Sequence, residues 1–410
     1  MIKEILNKAS LYSLSLLVFA LPFYEKIMPP IIAFAILINI INGIVNRSFR
    51  FNKKILFALG IAFFVIHVIS AFYSNDQHRA WFDIEVKLGL LFFPIVFSFK
   101  TDYIHQNKHY IYISFVLGSV ISSLLLLFLS ALNYKELGDE AFHYTQLARF
   151  IHPSYLAMYY IFSIAILIKY MVSQQRPIDK LFVPAALIIL LLRMVFLLQS
   201  KAGILTMIAV SIYLLVLSII RLRSLLLKIA IALIALSVVF ISIQNSQRLQ
   251  SMFSSVKEIS ENGSSDDSTT GVRYSIWKLT AKEISKHWLF GVGAGDIKPT
   301  LFKDYSKTHL DGALEKQLNV HNQYLETFLG QGIFGFLLLL ALLFYGIKKA
   351  YKYKEWMMTI FIIIIAFGMI PESMLNKQSG VIFISFFYYF IFQFADYKDE
   401  NTFLKSASEN

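Results

Sequence analysis

An all-α bundle of membrane-spanning helices is the fold class this chain predicts, and three observations predict it. Of its 410 residues, 57% are hydrophobic and only 16% are charged, more apolar surface than soluble domains can hide. Apolar runs of roughly 17–25 residues recur along the whole length, each enough helix to cross about 30 Å of hydrocarbon. No run of about ten residues shows the period-two alternation of a membrane barrel strand, so helices must satisfy the backbone within lipid.

Twelve runs meet this description: residues 10–24, 29–45, 55–73, 84–99, 110–132, 151–168, 181–199, 202–220, 225–243, 323–346, 356–370 and 378–395. The runs at 10–24 and 84–99 are short and carry polar residues, which leaves tilted or re-entrant segments open for both. Met1-Ile2-Lys3-Glu4 leads straight into the first run, which is expected to act as its own uncleaved targeting signal. The chain then divides into nine spans in 1–243, one large loop in 244–322, three spans in 323–395, and a tail in 396–410.

Lysine and arginine set the orientation. Connections on the side of the N-terminus hold twenty of them, including Arg47, Arg50, Arg221, Lys348 and Lys352, against six in the opposite short loops, which are Lys26, Arg79, Lys135, Arg149, Lys201 and Lys377. Both termini are therefore expected in the cytoplasm and the 244–322 loop outside it. The net charge of +12 is mostly this bias, so no nucleic-acid partner is read from it. With no cysteine, disulfides and thiolate metal sites are excluded.

The large loop opens on a polar stretch, "ISENGSSDDSTTG" at 259–271, whose Ser, Asp and Gly content reads as flexible. "VRYSIWKLTAKEISKHW" then predicts an amphipathic helix capped by Thr269 or Thr270. "GVGAGD" at 291–296 follows no strand and lacks the Gly-Lys-Ser/Thr signature of a phosphate loop, so it reads as a tight turn. No HExxH and no His/Asp cluster with ligand spacing occurs, so neither metal nor cofactor is expected. Internal repeats of the kind common in secondary transporters are also missing.

Polar residues gather at the non-cytoplasmic ends of the spans. "HNQYLETFLGQGIFG" joins His321, Asn322, Tyr324 and Glu326 to an apolar run, and helical spacing would put His321 on one face with Tyr324, Leu325 and Phe328. His321 could be a polar helix start among headgroups or a general base near neutral pH. Arg273 could be a solvated charge or a two-pronged grip on phosphate. Lys201, in the tight hairpin "QSKAGIL", could snorkel to headgroups or bind an anion. Arg193 lies inside a span, where snorkelling, an internal ion pair and a site role are all open. His152 and Pro153 open another span at the same membrane face. The carboxylates on that side, Asp139, Glu140, Asp296, Asp304, Asp311, Glu315, Glu326 and Glu372, form no acid/base pair by spacing.

Taken with their order and the single long loop, "HPSYLA", "QSKAGIL", "VRYSIWKLTAKEISKHWLFGVGAGD" and "HNQYLETFLGQGIFG" resemble the O-antigen ligase and polymerase superfamily of bacterial inner-membrane glycosyltransferases, over about residues 145–395. The resemblance implies a multi-pass, GT-C-like enzyme of the inner membrane with its active site facing the periplasm. Such an enzyme takes a glycan from undecaprenyl diphosphate and, for a ligase, passes it without a metal to a hydroxyl of the lipid A core oligosaccharide. It also implies that His321 activates the acceptor and that Arg273 and Lys201 hold the diphosphate; His152, Arg193, Asn322 and Tyr324 are expected to contact substrate. Lys201 stands where such proteins commonly carry arginine, which keeps the charge and loses the fork. A polymerase joining lipid-linked repeats and a protein O-oligosaccharyltransferase share this machinery. A lipid-linked oligosaccharide flippase would instead spread charges through the midplane, and a membrane scaffold would need no such gathering of polar residues.

Overall fold

The computed structural model describes residues 1–46, 54–99, 102–172, 178–221 and 269–394. Among these residues helices carry the fold and no β-strand occurs. Two helices form its centre. Pro153–Val172 is buried over fifteen of its twenty residues, and Gln378–Gln393 is buried from Ser379 to Gln393. Both sequences are apolar on every face, which is how a helix surrounded by other helices reads. Their phenylalanines interlock with a neighbour on each side: the Phe387 ring lies 4.7 Å from Phe115 and 4.9 Å from Phe162, and Phe383 lies 5.7 Å from Phe361. Edge-on contacts at these distances favour one arrangement over sliding alternatives.

Six of the described helices are long and apolar enough to cross a membrane: Glu25–Val45, Lys54–Phe72, Lys108–Leu132, Pro153–Val172, Lys201–Ile220 and Gln323–Tyr353. The shorter Phe182–Leu197, Trp356–Gly368 and Gln378–Gln393 are apolar as well. Burial divides them: Pro153–Val172 is mostly buried within the protein, whereas Lys201–Ile220 is mostly not. The less buried helices present their apolar surface outward, as lipid-facing helices do.

Two expectations need correction. The run at 84–99 is not one crossing helix but two, Gln77–Lys87 and Gly89–Ser98, which join at Leu88. The first begins well before the apolar run, because the Asp76 carboxylate caps it by accepting the Arg79 N–H at 3.0 Å. The second, with ten residues, reaches about 15 Å and cannot span hydrocarbon alone. The other correction concerns His321. Helix Gln323–Tyr353 starts two residues later than the helical spacing assumed, and His321 has φ +50° outside it. It therefore shares no helical face with Tyr324. The same helix breaks at Gly332, whose φ is +64° and where a side chain would meet the Leu289 carbonyl at 2.3 Å. The expected span at 225–243 and the flexible start of the large loop lie outside the described residues.

Of that loop, Thr269–Lys286 and Ile297–Lys307 are helices. "GVGAGD" does more than turn between them, because it runs backbone to backbone along the kinked helix. Val292 N–H donates to Leu329 O at 2.8 Å, Gly293 N–H to Gly330 O at 3.0 Å, and Ile333 N–H returns to Trp288 O at 2.9 Å. Asp296 ends this stretch by accepting the Asn75 and Asp76 N–H groups at 2.7 and 2.9 Å.

Candidate active site

Each polar side chain at the loop-bearing end is placed by a local device. The indole of Trp277 donates to Val320 O at 3.0 Å, fastening the helix that carries Arg273 beside the residue before His321. Asn322, extended at φ −160°, caps helix Gln323–Tyr353 by accepting the Leu325 N–H at 3.0 Å. Chain entry into that helix is thereby set, and His321 is held just outside it. Ser200 accepts the Gly203 N–H at 3.1 Å and starts helix Lys201–Arg221. Gly203 in turn lets this helix close on Pro153–Val172, since a Cβ there would sit 2.4 Å from that of Ala157.

The centre of the group is Glu372, buried in the connection between helices Trp356–Gly368 and Gln378–Gln393. His321 Nδ1 is 3.5 Å from its Oε1 and His152 Nδ1 is 3.9 Å from its Oε2. Ser154 donates to Oε2 at 3.2 Å, and Ser200 donates to Ser154 at 3.1 Å. Beside Ser200, Lys201 Nζ donates to the Thr270 hydroxyl at 2.7 Å, on the helix that carries Arg273. The charge of Arg273 acts on both Glu372 and His152. His321, His152 and Arg273, from three separate parts of the chain, thus act on one carboxylate, and Lys201 is bonded to the helix that carries Arg273.

Burial would push the Glu372 carboxyl up, but the His321 and His152 imidazoles and the Arg273 guanidinium outweigh it and hold the group at about 2. It is a carboxylate at neutral pH. Burial pushes His152 down from its ordinary value, and the charges of His321, Arg273 and Lys377 act the same way against Glu372. The His321–Glu372 contact is long for a hydrogen bond, and Nδ1 has no well-formed partner. Such contacts often tighten only when substrate is bound. With Nδ1–H toward the carboxylate, Nε2 is the nitrogen left to accept a proton. Several cationic groups around one carboxylate leave the site net positive, suited to an anionic ligand.

Three predicted residues stand apart from this arrangement. Arg193 is exposed on helix Phe182–Leu197 and is not among the groups that meet Glu372. Tyr324 donates to Ala366 O at 2.8 Å, so its hydroxyl serves helix packing. The Asn322 side chain is spent on the cap described above. The sequence singled out neither Ser154 nor Ser200, and it offered Glu372 only as one of eight carboxylates. For Glu372 a signal existed: "PES" puts one carboxylate between two strongly apolar runs, where an acid is costly unless used. No group of three or more His, Asp or Glu among the described residues could hold a metal ion.

An all-α, multi-pass membrane protein with a histidine- and arginine-bearing polar cluster around a buried carboxylate is the class that fold and site define. Residues 185–340 match the family model of the O-antigen ligase domain, and over that stretch the chain is similar to the O-antigen ligase superfamily. The matched stretch includes Lys201, Arg273 and His321 and ends before Glu372. This family covers ligases and polymerases, glycosyltransferase-like enzymes that use lipid-linked glycans. No curated protein matches the chain.

Proposed function

We propose that this protein is an O-antigen ligase that moves a glycan from undecaprenyl diphosphate to a hydroxyl of the lipid A core oligosaccharide, on the periplasmic face of the inner membrane. The observation that carries the reading is the pairing of His321 with a buried carboxylate on which Arg273 also acts, with Lys201 bonded to the helix that carries Arg273. In the reaction the acceptor oxygen bonds to the anomeric carbon, the bond from that carbon to the diphosphate breaks, and the hydroxyl proton passes to His321 Nε2. Glu372 keeps the other ring nitrogen protonated and stabilises the imidazolium that forms. The departing diphosphate gains negative charge next to the Arg273 guanidinium and the Lys201 ammonium, which is where fixed cations lower a barrier most. Attack opposite the leaving group inverts the anomeric centre.

The reading makes the acceptor the open chemical choice among relatives that share the donor. Purified protein is supplied with undecaprenyl-diphosphate glycan and, in separate reactions, with lipid A core, a second lipid-linked repeat, or a peptide. Glycosylated lipid A core is the expected product. Lengthened lipid-linked glycan as the sole product would replace the ligase assignment with a polymerase, and no transfer to any acceptor would remove the enzyme reading.

A further inference from the structure

Buried hydrogen bonds join the 369–376 connection to the start of helix Gln323–Tyr353, and the transfer step uses none of them. Ser373 is the bridge: its hydroxyl accepts the Asn322 N–H at 3.2 Å and donates to Glu326 Oε2 at 2.5 Å. The other Glu326 oxygen accepts from Asn376 Nδ2 at 2.5 Å. Gln323 adds two more links, accepting the Leu375 N–H at 2.7 Å and donating its own N–H to Met369 O at 2.9 Å. Asn322, Gln323, Glu326 and Ser373 are all buried.

The register of these bonds is the informative part. His321 immediately precedes Asn322, and Glu372 immediately precedes Ser373, so the Asn322–Ser373 bond ties together the two backbone positions on which the imidazole and the carboxylate are mounted. Neither mount is held by a long helix, since His321 lies outside its helix and Glu372 lies in a connection. A buried carboxylate is an expensive way to fill space, and an apolar side chain would serve packing better. Glu326 is instead satisfied at both oxygens by donors from the 369–376 connection, and Lys87 and Asp83 act on it from helix Gln77–Lys87.

We propose that Ser373 and Glu326 are positioning residues for glycan transfer: they clamp the Glu372 connection to the start of the kinked helix, so that Glu372 stays against Nδ1 of His321. The proposal rests on the reading of His321 as the base. Its test is steady-state transfer by purified Ser373→Ala, Ser373→Thr and Glu326→Gln beside His321→Ala. Ser373→Ala is expected to lower kcat by roughly 10- to 100-fold, the scale of a small misplacement of reacting groups, with KM for the lipid-linked donor unchanged. Ser373→Thr, which restores the hydroxyl, should recover most of the loss. Glu326→Gln keeps the volume and one acceptor oxygen and should fall between wild type and Ser373→Ala, and it carries the comparison alone if the alanine variant is not recovered folded. Wild-type kcat in Ser373→Ala and Glu326→Gln while His321→Ala is inactive overturns the clamp and leaves the base in place. Equal loss in Ser373→Ala and Ser373→Thr also overturns it, because packing rather than the hydroxyl would then matter. Full activity in His321→Ala overturns the reading beneath both.

Discussion

An imidazole accepts a proton well at one nitrogen when the other is held as a donor, and in His321 that second nitrogen faces Glu372 at 3.5 Å. Glu372→Gln keeps the shape and removes the charge. Transfer is expected to fall by roughly 10- to 100-fold, as for other lost partners of functional histidines. The same residue gives a pH signature. Its carboxyl sits at about 2, below the ordinary 4.5, so the stabilisation it supplies is present above that ordinary value and is lost as pH falls through the interval toward about 2. Thermal unfolding of the detergent-purified protein over that acid range should show the loss in wild type and a flatter profile in Glu372→Gln; parallel profiles would contradict it. For the donor, Arg273→Ala should weaken use of the diphosphate by about 10-fold or more, with Arg273→Lys only partly restoring it, because lysine keeps the charge without the fork. Residue types with one dominant chemistry, His321, His152, Arg273 and Lys201, were visible in the sequence. Glu372 was not singled out among eight carboxylates, because its value comes from burial beside distant imidazoles.

Helix ends decide where those side chains stand. Periodicity located the apolar bodies of the helices well, yet it carried the kinked helix back through His321 and treated 84–99 as one unit. The Asn322 cap and the left-handed backbone at His321 override period at the first place, and the Asp76 cap starts the other helix well before its apolar run. Nor did spacing announce that "GVGAGD" would pair with the kink, since that pairing depends on a neighbour about 40 residues away in the chain. Two substitutions probe this level. Gly332→Ala puts a side chain on left-handed backbone against the Leu289 carbonyl, and it should cost more than about 1 kcal/mol and lower the thermal midpoint. Asp296→Ala leaves the Asn75 and Asp76 N–H groups without their carboxylate and should cost about 1–3 kcal/mol, read as a lower midpoint and faster proteolysis between Trp288 and Lys307. Wild-type behaviour in both would mean that the loop is not anchored at this junction.

Composition alone settles the scale of the whole molecule, because a chain this apolar with repeated helical runs has to fold as a lipid-embedded bundle. The number of crossings is harder to read, since short apolar helices and broken ones can look alike in hydropathy. Orientation rests on the lysine and arginine bias and is open to a direct check, helped by the absence of native cysteine. Lys316→Cys and Lys352→Cys, both at exposed positions, should differ in intact spheroplasts, the first labelled by a membrane-impermeant maleimide and the second protected. The reverse pattern would put the pocket on the cytosolic face. Most direct for the account as a whole is glycan transfer from undecaprenyl diphosphate by correctly folded His321→Ala against wild type, with chelator present in both. The account predicts chelator-insensitive transfer in wild type and a loss of about 10²- to 10⁴-fold in the variant, whereas transfer by His321→Ala at the wild-type rate would contradict it.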